Sequence, residues 1–176
     1  MSKINFKVQR TTSMQDIKRR LNFLVKSKVL IGVQGVSGNE LHKKTKIIDG
    51  KEVLVPSEKT NVDIAVYNEF GTETESGAER IPERSFVRAS VIENRDKYNN
   101  FNRVAYNQIL KGRIFDINEH LELLGTKARD DMKLYARDLR EPPNAQSTID
   151  AKGSDNPLVN TSQMINSITY VVEHDT

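Results

Sequence analysis

The sequence predicts an α+β domain: a small, mostly antiparallel sheet with helices packed on one face, one long helix and a projecting β-hairpin. Three observations predict it. Strand-like and helix-like stretches do not alternate as βαβ units. Two β-branched runs flank Asp49-Gly50, a dipeptide that tolerates the positive φ of a type I′ turn. One helical period runs through Leu121, Leu124, Ala128, Met132, Tyr135 and Leu139.

Ile4, Phe6 and Val8 alternate with polar residues and read as a short strand. Thr11-Thr12-Ser13 offers N-caps to a helix whose apolar face carries Met14, Ile17, Leu21, Leu24 and Val25. Residues 28–33 read as a buried strand, and 34–44, with their Gly and Ser, as a loop. The hairpin spans 45–56 and ends at Pro56. A short helix follows from Val62 to Phe70, with Ala65, Val66 and Phe70 on its apolar side and Gly71 placed for a left-handed cap. Residues 72–80 carry Glu73, Glu75 and Glu79 and read as a mobile loop that Pro82 ends.

A helix begins near Arg84 to Phe86 and carries Phe86, Val87, Val91 and Ile92; another passes through Phe101, Val104, Ala105 and Leu110. Gly112 and the stretch Arg113-Ile114-Phe115 mark a break, after which Asp116 caps the long helix with Glu119 in support. Extended to Arg140, that helix would measure on the order of 35 Å. Pro142 and Pro143 stop it, and the Pro, Asn, Ser and Gly of 141–160 predict an extended segment. Thr161 can cap one helical turn, and Ser167 to Glu173 form a terminal strand.

The chain of 176 residues fits one domain, and its 36% hydrophobic against 29% charged residues predicts a modest core. With 27 basic and 24 acidic residues, the net charge of +3 carries no strong nucleic-acid footprint. No cysteine is present, so disulfides and thiolate metal sites are excluded. Met1 to Phe6 lacks a signal-peptide run, and no stretch approaches the roughly 20 apolar residues of a membrane span. The expectation is a soluble chain made in a cytoplasm, with no membrane partner.

No constellation announces catalysis, and no enzyme, cofactor or metal site is expected. His42, His120 and His174 match no zinc spacing and read as exposed or structural. Gly32, Gly35 and Gly38 follow a strand, but their spacing is that of neither phosphate-loop pattern. Asp130-Asp131, among Lys127, Arg129 and Lys133, reads as a charged helix face, as does Lys18-Arg19-Arg20.

Two segments stand out instead. The first is Glu69-Phe70-Gly71-Thr72 with Ile81-Pro82-Glu83-Arg84-Ser85-Phe86-Val87-Arg88. Phe86 is placed to bury against the sheet. Arg84 and Arg88, four residues apart, suit either carboxylate recognition across a subunit boundary or an exposed helix start. The second runs from Pro157-Leu158 through Thr161 to Ser167-Ile168-Thr169-Tyr170, an anchor, a cap and the start of an edge strand able to pair with a neighbour.

In order and spacing these segments resemble the tail-completion and head–tail joining proteins of long-tailed bacteriophages, also described as virion morphogenesis or minor tail proteins. The family pattern is E-F-G-T, a loop, I-P-x-R-P-F-x-R, and near the C-terminus P-L-[IV]-D-T-G-x-L-x-x-S-I-x-Y. Here Ser85 stands for Pro, Asn160 for Asp, Ser162 for Gly and Met164 for Leu, and the serine at 162 weighs against a tight turn there. The resemblance implies a non-enzymatic virion protein of the neck or head-proximal tail end, of tail-completion or terminator type. It implies a homo-oligomeric ring, a hexamer, that joins the head connector or adaptor to tail tube or sheath proteins. DNA would pass through the lumen unread. Phe70, Gly71, Pro82, Arg84, Phe86, Arg88, Pro157, Leu158, Thr161, Ser167 and Tyr170 become the candidate interface or structural anchors. The alternatives are a head-completion or adaptor protein of the connector and a non-specific DNA-binding module using Lys18-Arg19-Arg20 and Lys43-Lys44.

Overall fold

The computed structural model describes residues 12–113, 116–152, 157–158 and 162–174. In chain order the elements are α1 (Met14–Lys26), β1 (Ser27–Val33), α2 (Gly35–Asn39), β2 (Leu41–Ile48), β3 (Lys51–Thr60), α3 (Asn61–Phe70), β4 (Thr72–Glu73), β5 (Glu79–Ile81), α4 (Val87–Glu93), α5 (Arg95–Leu110), α6 (Ile117–Asp138), α7 (Gln146–Lys152), α8 (Gln163–Asn166) and β6 (Ile168–His174). The predicted class holds: small antiparallel sheets lie beside helices, and α6 is much the longest helix. The strands form three two-stranded ladders, β1 with β6, β2 with β3 and β4 with β5. The N-terminal strand expected around Ile4 to Val8 lies outside the described residues, as do Ile114 and Phe115.

Local chemistry starts the main helices. The Ser13 hydroxyl accepts from the Asp16 amide at 3.1 Å and opens α1. Thr60 and Asp63 form a reciprocal capping box on α3, with the Thr60 amide donating to Asp63 at 2.8 Å and the Asp63 amide to Thr60 at 3.2 Å. Asp116 accepts from the Glu119 amide at 3.0 Å and opens α6. The caps at Ser13 and Asp116 were readable because donor and acceptor lie three residues apart; the box at Thr60 and Asp63 was missed.

The long helix is the spine of two cores. Its first turns give Ile117 and Leu121 to a cluster with Leu24, Ala105 and Ile109. Its later turns give Met132 and Ala136 to a cluster with Ala65, Phe86, Leu158, Met164, Ile165 and Ile168. The β1–β6 ladder lies against α6 through Val29, Ile31 and Val33 with their cross-strand partners Val172, Tyr170 and Ile168. Leu30 and its partner Val171 face outward and are exposed.

The hairpin forms as predicted at its turn, where Asp49 has φ 51° and Gly50 φ 74°. Its arms are longer than predicted. The stretch 34–44 is not a loop: it holds the short helix α2 and the first residues of β2. Nor does Pro56 end the second arm, because β3 continues to Thr60. The register shifts between Leu41 and Lys43, opposite Thr60 and Pro56, and a proline without a donor is tolerated at such an irregularity. Residues 72–80 are likewise not simple loop, since β4 and β5 pair there, and 141–160 contains α7.

Some predicted apolar faces are narrower than their periodicity suggested. In α1 only Leu24 is fully buried, and Met14 and Val25 are exposed. In α3 Ala65 is buried while Val66 and Phe70 are not; in α4 Val91 and Ile92 face solvent.

Candidate functional site: a closed junction between two distant motifs

Glu69, in the last turn of α3, is 5% exposed and organises the first motif. One carboxylate oxygen accepts from the Val87 amide at 2.9 Å. The other accepts from the Arg88 amide at 3.1 Å, the Arg88 Nε at 2.9 Å and the Ser85 hydroxyl at 2.8 Å. Val87 and Arg88 are the first residues of α4, whose N-cap, Phe86, has no side chain able to cap. A carboxylate from a preceding helix therefore satisfies the orphan amides of α4. Burial alone would raise the Glu69 carboxyl. The Val87 and Arg88 amides, the Arg88 guanidinium and the Ser85 hydroxyl outweigh it and hold the group below its ordinary value. Ser85, a departure from the family pattern, thus supplies a donor that proline could not.

Both arginines have partners within the chain. Arg88 binds Glu69, reaches Glu83 at 2.6 Å and the Glu69 carbonyl at 3.1 Å, and lies over the Phe70 ring at 4.9 Å. Arg84 is 5% exposed. It donates to the carbonyls of Pro142 and Pro143 at 2.8 and 2.9 Å and to the Asn144 side chain at 3.3 Å. Its guanidinium ties the segment after α6 to the start of α4. The exposed helix start fails for Arg84, which is buried, and holds for Arg88, whose side chain stays half exposed while it pairs within the chain.

Gly71 has φ 70° and ψ 177°, so it is not the left-handed cap predicted for it. Glycine is still required. A Cβ there would stand 2.9 Å from the Ile81 carbonyl oxygen and 3.0 Å from the Glu83 amide nitrogen. Pro82 follows β5 and is half-buried.

The second motif meets the first in the core. Phe86, fully buried, shares a cluster with Leu158, Met164, Ile165 and Ile168, and Pro157 is buried beside Leu158 in sequence. Thr161 lies outside the described residues. Ser162 adopts φ 58°, a left-handed conformation that glycine takes more readily than serine. Ser167 is buried and donates to the Met164 carbonyl at 2.7 Å. Tyr170 lays its ring across Gly125 of α6, where a Cβ would come within 2.2 Å of a ring carbon. Its hydroxyl accepts from Thr126 at 3.0 Å and donates to Glu122 at 2.9 Å.

Sequence reasoning missed the central role of Glu69, the contact at Gly125 and the environment of His120. The signal for Gly125 was present, because a mid-helix glycine costs about 1 kcal/mol against alanine and calls for a packing reason. His120 does not lie on an ordinary charged face. It is 5% exposed, stacks on Phe101 at 4.4 Å and bonds Asn102 at 3.0 Å, and burial lowers its pKa. His42, expected in a basic loop, lies in β2 and bonds Asn61, which in turn holds the Ser37 carbonyl.

Among the described residues, no group of three or more His, Asp or Glu side chains could hold a metal ion, and no helix is long and apolar enough to cross a membrane. A cavity of about 470 Å³ opens between the α4–α5 junction and the end of α6. The chain matches no protein-family model, and comparison with curated proteins and with solved structures returns no match.

Proposed function

We propose that the chain is a structural virion protein of the tail-completion type, one subunit of a ring that joins the head connector to the tail. The observation that carries this reading is the junction just described. Phe86 of the first segment and Leu158, Met164, Ile165 and Ile168 of the second, far apart in sequence, share one core. The segments' chemistry is positional: the Glu69 carboxylate, the Arg84 and Arg88 guanidinium groups and the Ser85, Ser167 and Tyr170 hydroxyls bond neighbours within the chain. A scaffold of this kind fixes where exposed elements project, which a subunit of an assembly needs.

The exposed elements are apolar enough to hold neighbours. The β2–β3 hairpin presents Ile47, Ile48, Val53 and Leu54 to solvent, and the β1–β6 ladder presents Leu30 and Val171. In this reading DNA passes through a lumen lined by the ring and is not recognised by sequence.

The test is the mass and shape of the purified full chain, alone and with its connector partner, by native mass spectrometry and negative-stain microscopy. A closed ring with a central opening is the expected outcome. A chain that stays monomeric at high concentration in both settings would overturn the proposal.

A further inference from the structure

The β2–β3 hairpin has two unlike faces. In an antiparallel ladder, directly paired residues share a face and faces alternate along each strand. The pairs Lys44 with Val55, Lys46 with Val53 and Ile48 with Lys51 therefore make one surface. It carries three lysines and three apolar residues and no acid. Ile48 and Val53 are 47% and 40% exposed, and the three lysines are exposed. The hairpin's main attachments within the chain are at its base, to α3 and α8, including the Lys43 amide bonded to the Gln163 side chain at 2.8 Å.

The opposite character appears at the end of α6. The cavity of about 470 Å³ there has Leu134, Tyr135 and Leu139 in its wall, with Glu93, Asp138 and Glu141 around them. Leu134 is 58% exposed. Among the described residues, those three acids make no ion pair within the chain. One cation, Arg140, shares the wall, and Lys97 lies nearby. Arg140 donates to the Arg137 and Leu139 carbonyls, and Lys97 is held by Asp131.

From this match we infer that the hairpin of one copy docks, lysine face first, into the acidic, apolar-walled cavity at the end of α6 of the next copy. The occupant of the cavity is a second copy of this chain. Ile48 and Val53 cover Leu134 and Tyr135, and Lys44, Lys46 and Lys51 meet Glu93, Asp138 and Glu141. Two different patches are joined, so the contact is heterologous and propagates head to tail; it closes into a ring when the rotation per subunit closes. The inference rests on the ring reading above and deepens it by naming the surfaces.

Sedimentation velocity of the full chain over a concentration series, at low and high salt, tests it. The parent is expected to associate, less strongly at high salt. A variant carrying Lys44→Glu, Lys46→Glu and Lys51→Glu should associate on the order of 100-fold more weakly. So should one carrying Glu93→Lys, Asp138→Lys and Glu141→Lys. Mixed in equal amounts, the two should assemble again, because each supplies the surface the other needs.

All six side chains are exposed, so both variants should keep the parent's melting temperature. The chain has no cysteine, so the double variant Ile48→Cys, Leu134→Cys should form disulfide-linked oligomers that neither single variant forms beyond a dimer. If the parent assembles but the hairpin variant assembles equally well, or the mixture fails to assemble, the docking is wrong and the ring stands. If the parent never associates, alone or with its connector partner, both fall.

Discussion

The junction around Glu69 and the β2–β3 hairpin are opposite solutions to the same composition. At the junction, charged groups turn inward onto partners in the chain: Glu69 alone accepts four hydrogen bonds. On the hairpin, apolar side chains turn outward and the arms hold chiefly each other. The difference separates two kinds of residue importance. Substitutions at the junction should change whether the chain folds; substitutions on the hairpin should change what the folded chain touches. Measurements that separate stability from association will sharpen that contrast or break it.

The largest effect is expected at Phe86, the fully buried ring where the two motifs meet. Phe86→Ala should lower unfolding free energy by about 3–5 kcal/mol in denaturant titrations. A loss below about 1 kcal/mol would mean the motifs do not share a core.

Glu69→Ala comes next, at about 3 kcal/mol, because it strands the α4 amides and leaves the Arg88 guanidinium without its main carboxylate. Its sign with pH follows from the lowered carboxyl. A group whose folded pKa lies below its ordinary value of 4.5 stabilises the fold above that value, and the contribution is lost as pH falls through the folded pKa. Parent stability should therefore fall on acidification below about pH 4, and part of that fall should vanish in Glu69→Ala.

Gly125→Ala should cost about 1–3 kcal/mol through the collision with the Tyr170 ring. The same substitution should lose its cost in a Tyr170→Ala background, since the two sites couple only through the contact. A gain of about 1 kcal/mol in the parent, the bare helix-propensity effect, would place the ring elsewhere.

Ser162→Gly should stabilise by about 0.5 kcal/mol, relief of left-handed strain exceeding the added freedom of the unfolded chain. At the far end of the scale, Ile47→Thr on the hairpin should leave the melting curve within about 0.5 kcal/mol of the parent. A large loss there would mean the hairpin belongs to the core after all.

What the sequence disclosed follows the reach of each interaction. The Asp49-Gly50 turn and the caps at Ser13 and Asp116 are contacts between near neighbours, and they could be read directly. The start of α3 was placed within one residue. The arms of the hairpin were cut short because a proline normally ends a strand, and only the shifted register at Leu41 and Lys43 shows how Pro56 is accommodated. Helix α7 was hidden in a stretch whose Pro, Asn and Ser content argues for extension. Arg84 could not have been assigned, because its partners are backbone carbonyls 58 and 59 residues away and carry no sequence signature. Periodicity also overstated burial in α1 and α4, since it reports a capacity for packing and not the presence of a partner. For Phe86, Leu158 and Tyr170 the residue types suggested anchoring, but the contact surfaces that define each anchor come from the fold.

The pairing of β1 with β6 has a consequence in time. Ser27 and His174 meet across 147 residues of chain, so the ladder that lies against α6 cannot close until nearly all of the described sequence has been synthesised. The hairpin, by contrast, is complete as soon as its second arm emerges. On the ribosome the chain would thus display the exposed apolar side chains of its hairpin well before it owns a finished body, a condition that favours premature pairing of nascent chains. Under the docking proposed above, the lysines that line one face of that hairpin would act as a delay, keeping young chains apart by repulsion until the acidic end of α6 is folded and able to receive them.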